Sequence, residues 1–423
     1  MKLNLLKCGI LAITLMPAQS ILAQSSESET VTVAVGDKTA SEEVEIEFIE
    51  NMPQRARESG LPRFAIVGHD RKFYMGLGAQ FNGIAAFDFG DAMPNALDFI
   101  PSAMSRPTAG NGGNLRFNAA SSNIYLNVVA LPGTKDKIGF FFKMQFNEGN
   151  GYGFHLSHVY VTYRGLTAGY TSSLFQDDAA IPYTIDSQGP NGLAANKVVT
   201  GSWTQHFTKN FSGAIGVEGP TANMTNGVSA RQVTQRIPAF PLYLQYAYGD
   251  ASHIRASVLL RPLQYRNLVK GKNTGKLGWG VQLSGVTEIV SPITFYYSAV
   301  YGKGIANYIQ DTEDLALDAT PNHIHPGEMQ LTESLGLTGG IGIQFSKKWQ
   351  ANLSYSHLTN WYDSEARPDG NTYRYDDYAA ANILYDLNRF LTFGIEYDYG
   401  HAKDLNGTSY HCNRLQGLLQ VTF

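Results

Sequence analysis

From Phe73 to the C-terminus, sixteen segments of alternating apolar and polar residues follow one another, and the connections between them take turns in length. Leu131–Asp136, Gly165, Thr208–Asn210, Asp250–Ala251, Ile289–Pro292, Ser346–Lys348 and Asn388–Arg389 are short. Gly90–Gly113, Leu174–Val199, Gly219–Arg236, Gly304–Glu333, Trp361–Asp376 and His401–Ser409 are long, and only Glu148–Gly153 and Arg266–Gly275 soften the contrast. Antiparallel strands with tight turns at one end and longer loops at the other are the arrangement of barrels that cross a membrane. A soluble sandwich has no reason to keep the asymmetry.

Alternation within the segments supports the same reading. Leu391, Phe393, Ile395, Tyr397 and Tyr399 share one face, against Thr392, Gly394, Glu396 and Asp398 on the other. Leu335, Leu337, Ile341, Ile343 and Phe345 oppose Ser334, Thr338 and Gln344, and Leu415, Leu419, Val421 and Phe423 oppose Arg414, Gln416, Gln420 and Thr422. The apolar rows are set for lipid and the polar rows for water. Trp203, Tyr246, Tyr248, Trp279, Tyr301, Trp349, Tyr355 and Tyr399 stand near strand ends, where interfacial aromatic girdles form. No apolar run after the first residues approaches the roughly 20 needed for a spanning helix. The expected fold is all-β: a transmembrane antiparallel β-barrel of about 16 strands.

The N-terminus reads as a secretory signal over residues 1–23: Lys2 and Lys7, the apolar stretch Cys8–Met16, and Ile21–Leu22–Ala23 before Gln24. Residues 24–63 read as a flexible, acidic periplasmic arm, in which Val44, Ile46 and Phe48 alternate as in a short strand, and residues 64–423 as the barrel. With the signal removed Cys412 is the sole cysteine, which excludes an intrachain disulfide and a cysteine-based metal site. Nothing in the sequence calls for a cofactor or for nucleic acid as a partner.

Leu174–Val199, LFQDDAAIPYTIDSQGPNGLAANKVV, has two prolines and no sustained period. A wide barrel leaves an open lumen, and an early loop of this length turned inward narrows it. Asp177, Asp178 and Asp186 of this loop are the candidate acids of a constriction. Arg116, Lys143 and Arg164, on the polar phase of the second, third and fourth strands, are its candidate bases, extended by Arg255, Arg261 and Arg414. Opposed charges across a narrow aperture sort solutes by charge. The plainer reading makes the same groups salt bridges that pin the loop. His323, His325 and Glu328 form a weak metal candidate, and His155, Ser157 and His158 a weak catalytic one, since strand neighbours point to opposite faces. The chain is not read as an enzyme.

Three stretches resemble the DcaP-like porins of Gram-negative outer membranes: Phe64–Asp91, FAIVGHDRKFYMGLGAQFNGIAAFDFGD; Gly169–Gly192, GYTSSLFQDDAAIPYTIDSQGPNG; and the final hairpin Phe390–Phe423. The resemblance implies an outer-membrane, sixteen-stranded homotrimer conducting small, often anionic, solutes. It departs in the N-terminal arm, which is shorter and less helical than is usual in that family. Ala119, Ser121 and Ser157, placed on the lipid phase, are the expected subunit contact. Two functions follow: a channel for small hydrophilic solutes, dicarboxylate-like anions among them, or a surface receptor or adhesin whose barrel, set in outer-membrane lipid, anchors long loops.

Overall fold

The last strand pairs with the first, so the sheet has no free edge. The computed structural model describes residues 31–32, 38–53, 61–62, 64–68, 70–107, 113–148, 152–249, 252–364 and 368–423. Both the expected signal segment and half of the expected arm lie outside the described residues. The barrel strands are β1 (Phe73–Gly90), β2 (Asn114–Asn118 with Asn123–Ala130), β3 (Ile138–Glu148), β4 (Gly153–Tyr163), β5 (Leu166–Ser172), β6 (Lys197–His206), β7 (Phe211–Glu218) and β8 (Phe240–Tyr248). They continue as β9 (Ser252–Asn267), β10 (Lys272–Val290), β11 (Ile293–Lys303), β12 (Glu333–Gln344), β13 (Trp349–Trp361), β14 (Tyr373–Asn388), β15 (Leu391–Asp404) and β16 (Ser409–Thr422). Each is antiparallel to the next, and β16 closes on β1 from Cys412↔Gly90 to Thr422↔Gln80. These are the sixteen strands read from the sequence.

Closure satisfies the backbone, which is the condition for crossing lipid as strands. The outer phase is apolar: Leu77, Phe87, Phe117, Ile215, Leu283, Leu353, Ile395 and Leu415 are exposed. At the two rims aromatic rings meet side by side, Trp349 on Tyr385 with centroids 4.6 Å apart and Trp279 on Tyr301 at 5.7 Å. The turn between β4 and β5 has positive φ at both Arg164 (49°) and Gly165 (83°), the form of a two-residue hairpin turn that matches strand twist.

Two sequence assignments change. In β4 a bulge leaves Ser157 unopposed, because Lys143 pairs with His158 and Met144 with Leu156. Ser157 is consequently buried and its hydroxyl accepts a bond from Lys197 at 2.9 Å. Ser121 is also buried, at the break in β2. Neither faces lipid, so Ser121 and Ser157 drop out of the expected subunit contact, while Ala119 is partly exposed. The second change is in the arm, where Lys38–Asn51 forms a helix, α1. Val44 and Phe48, one helical turn apart, are buried with Met52 a turn further, while Ile46 is exposed. The same residues that alternate at two also recur at four, and packing chooses the helical period.

Candidate functional site: the constriction of the lumen

The inward loop, residues 173–196, begins on a carboxylate. Glu218 of β7 accepts from the Ser173 hydroxyl (2.8 and 3.0 Å) and from the Leu174 amide (2.8 Å). Asp177 then docks on β9 and β10, with His253 Nε2 at 2.9 Å, Ser284 Oγ at 2.7 Å and Arg255 Nη1 at 3.7 Å. Burial pushes the Asp177 carboxyl up, but Arg255, His253 and Ser284 together outweigh it and hold the group down to about 2. Phe175 anchors the turn among Leu259, Val300, Ile305 and Tyr308.

Having crossed the lumen, the loop lies on β12–β15, where the wall is cut back to glycine. A Cβ on Gly340 would stand 2.5 Å from Pro182, and one on Gly336 would stand 2.1 Å from the Gly192 carbonyl oxygen. Glu396 accepts from the amides of Ile185 (2.8 Å) and Asp186 (2.6 Å), Asp376 from the Asn191 side chain (2.5 Å), and Ser356 Oγ from the Gly192 amide (2.9 Å). The loop is thus pinned at both ends by groups on strands far apart in sequence.

Two of the long connections expected outside also fold inward. From residues 91–107, Phe99 packs edge-on to Tyr378 with centroids 6.1 Å apart, and its amide donates to Asp186 Oδ1 at 2.8 Å. From residues 304–332, Asp311 accepts from the Ser102 amide (3.2 Å) and from Gln188 Nε2 (2.6 Å), and the Tyr308 carbonyl accepts from the Ala195 amide (2.9 Å). The apolar residues of these loops explain the turn inward: Met93, Leu97, Phe99 and Met104 in one, Ile305, Tyr308, Ile309 and Leu317 in the other, are all buried. That apolar content is the signal in the sequence that marks them.

The six sequence candidates do not form a single aperture. Asp177 and Asp186 are buried pins of the loop; burial, with Asp98 and Glu396 nearby, pushes the Asp186 carboxyl up. Asp178 is partly buried and accepts from Ser172 Oγ (3.0 Å) and Gln176 Nε2 (2.5 Å). Arg116 bonds Asp88 of β1 and the Met93 carbonyl. Lys143 stands on the lumenal phase of β3, opposite His158. Arg164 is elsewhere, exposed on the periplasmic turn and paired with Asp136 at 2.5 Å. The three added arginines also hold loops. Arg255 donates to the Gln176 carbonyl (3.0 Å), Arg261 to Asp318 (2.8 Å) and the Gly304 carbonyl (2.7 Å), and Arg414 to Asp88 (2.6 Å) and the Asn95 carbonyl (2.6 Å). For Asp177, Arg116 and the arginines, the plainer reading of pinning salt bridges describes the geometry. Glu328 pairs with Lys270 at 3.6 Å, and no metal-ligating group of three forms among the described residues.

The charges that do face one another are partly ones the sequence reading passed over. Lys197 opens β6 beside Ser157, on the wall that carries Lys143, His155 and His158. Toward it the 304–332 loop brings Glu313 and the exposed Asp314. Burial raises the Glu313 carboxyl, the Asp314 charge adds to this, and nearby Lys197 opposes it, leaving the group at about 7. Lys197 of β6 and Glu313 of the 304–332 loop therefore lie within electrostatic reach of one another.

A closed sixteen-strand barrel, apolar outside and narrowed by an inward loop, has the fold of the outer-membrane porins of Gram-negative bacteria. Among solved structures it is similar to the outer-membrane channel DcaP of Acinetobacter baumannii, with 19% identity, a TM-score of 0.72, and coverage of 83% of this chain and 97% of that one. It is also similar to the anion-selective porin from Comamonas acidovorans (11% identity, TM-score 0.54, 83% of this chain and 100% of that one). A third likeness is to the trimer form of OmpT from Vibrio cholerae (7% identity, TM-score 0.51, 83% and 99%). No family model and no curated protein matches the sequence. At these identities the likeness is one of fold, and at that level it agrees with the resemblance read from the sequence.

Proposed function

We propose that the chain is a diffusion channel for small hydrophilic solutes that favours anions, dicarboxylates among them. The observation that carries this reading is Lys197, on the wall that carries Lys143, His155 and His158, within electrostatic reach of Glu313 inside a closed barrel. In a narrow aperture fixed charges are screened less than on an open surface, so each one weighs on the passing ion. Asp178 lies at the root of the inward loop and contributes acid to the same passage. The receptor reading loses ground because residues 91–107 and 304–332, two of the long loops that would meet a partner, are largely tucked into the lumen.

The channel is further proposed to work as a homotrimer. On the outer face of β13–β16, His357 and His401 both bond Asp377, at 2.8 and 3.2 Å, above the small residues Ala379 and Ala381. A charged, small-sided patch is better placed against protein than against acyl chains. Single-channel recording in planar bilayers tests the channel, and reversal potentials at low salt test the wall. The joint variant Lys143→Gln, Lys197→Gln lowers the anion-to-cation permeability ratio if the proposal holds. An unchanged ratio removes the wall from the account, and absent currents remove the channel.

A further inference from the structure

The lumen holds a second element that neither the inward loop nor the comparisons explain. Helix α1 lies inside the barrel at its periplasmic end, because the strand side chains it packs on belong to the lumenal phase. Val44 and Phe48 pack on Tyr74 and Val129, and Met52 on Tyr125, Phe141 and Tyr160. The intervening residues Leu77, Ile124 and Val161 are exposed on the outside. The level is set by the short turn between β2 and β3: Glu47 accepts from the Gly133 amide at 2.9 Å, and Lys137 holds Glu47 at 3.0 Å and Glu50 at 2.5 Å.

The seat is built for this helix. Asn51, buried, donates to Asn127 Oδ1 (2.6 Å) and the Phe140 carbonyl (3.1 Å), accepts on its own carbonyl from Tyr160 (2.7 Å), and accepts on Oδ1 from Thr162 (3.2 Å). Asn127 returns a bond to the Phe48 carbonyl at 3.0 Å. The wall has no side chain where the helix presses closest: a Cβ on Gly139 would meet Asn51 Oδ1 at 1.8 Å, and one on Gly76 would meet Phe48 at 2.7 Å. A buried polar hub with all these partners costs too much to undo for the contact to be casual.

Sixteen strands spaced about 4.8 Å apart and tilted about 40° enclose a backbone cylinder about 30 Å across, and a helix with its side chains is about 10–12 Å wide. Within Lys38–Asn51 there are five glutamates and one lysine, and among the described residues Lys137 and Arg71 pair with its glutamates. Resting on the channel reading above, we infer that α1 is a collar at the periplasmic mouth, a second filter in series with the basic constriction. It narrows the exit and lines it with carboxylates, so the exit disfavours the anions that the constriction admits.

The test compares the full exported chain with two variants in planar bilayers of neutral lipid, with potassium chloride as the probe. A chain lacking residues 38–53 shows single-channel conductance raised by roughly 10–20%, the share of lumen cross-section a helix of that width withdraws. Glu43→Gln with Glu45→Gln keeps the helix and its seat, and raises the anion-to-cation ratio in reversal potentials at low salt. Heat-modifiable gel mobility verifies the barrel in each case. If the deletion leaves conductance unchanged, or the glutamine pair leaves the ratio unchanged, the helix lies outside the conduction path and the inference falls. A full chain with no conductance at all instead overturns the channel reading, so the two failures are told apart.

Discussion

Replacing Asp177 with Asn removes one charge from the root of the inward loop and leaves its shape almost untouched. Three groups on β9 and β10 converge on that carboxylate, and their attraction brings its titration from the ordinary 3.8 down to about 2. At about 1.4 kcal/mol for each pH unit, the charged form is worth on the order of 2–3 kcal/mol to the docked loop. Local opening at the root should therefore become on the order of 10- to 100-fold more frequent in the variant. The reporters are the amides of residues 173–180, among them Ser173, which donates to the Asn196 carbonyl at 2.8 Å, and Ala180, which donates to Asp177 at 3.1 Å. Hydrogen exchange followed by mass spectrometry on the detergent-folded barrel reads them directly. Because the docked pKa lies below the ordinary one, the stabilisation is whole above about pH 4 and disappears as pH falls through about 2. The variant and the parent should therefore converge in acid. Equal protection at neutral pH, with the rest of the barrel unchanged, would refute the reasoning.

Glu313 titrates near neutrality, at about 7. The anion-to-cation ratio should rise as pH falls from 8 to 6, and Glu313→Gln should flatten its share of that slope; a slope identical in the variant counts against its place in the passage. Gly336→Ala sets a methyl group against the Gly192 carbonyl, 2.1 Å from where the new carbon must go, and overpacking of this kind costs about 1–3 kcal/mol. Exchange at the Gly192 amide, bonded to Ser356 in the parent, should accelerate while that at Ala180 does not. Arg164→Ala, on the exposed periplasmic turn, should leave the reversal potential at low salt unchanged, and a shift would return this residue to the aperture.

The barrel was legible because each strand announces itself locally, by a period of two and a turn at either end. β11 occupies Ile293–Lys303, the very span read from alternation, since Tyr297, Ala299 and Tyr301 face out and Ser298 and Val300 face in. The partners of the charges were not legible. Phase alone shows that Arg414 faces inward, but the carboxylate that claims it, Asp88, lies on the first strand and is brought near only by closure. Ser157 lies on the face opposite to the one its phase implies because one bulge reverses the phase of everything before it. Lys197 is obscured for a smaller reason: it lies within the aperiodic stretch Leu174–Val199, so the first lumenal cation of β6 reads as part of the loop. The helix at Lys38–Asn51 was hidden by a sequence, EVEIEF, that satisfies two periods at once.

The central claim is that solutes pass between the basic wall of β3–β6 and the tip of the 304–332 loop. A single cysteine at Asp314, exposed at that tip, places a chemical handle in the passage, while the native Cys412 is buried on β16. Recording one channel of Asp314→Cys while a cationic methanethiosulfonate reagent is added is the most direct measurement. The account predicts a stepwise fall in current on modification and a higher anion-to-cation ratio afterwards, because a negative position has become positive. Open channels whose current and ratio stay the same after complete modification would contradict it.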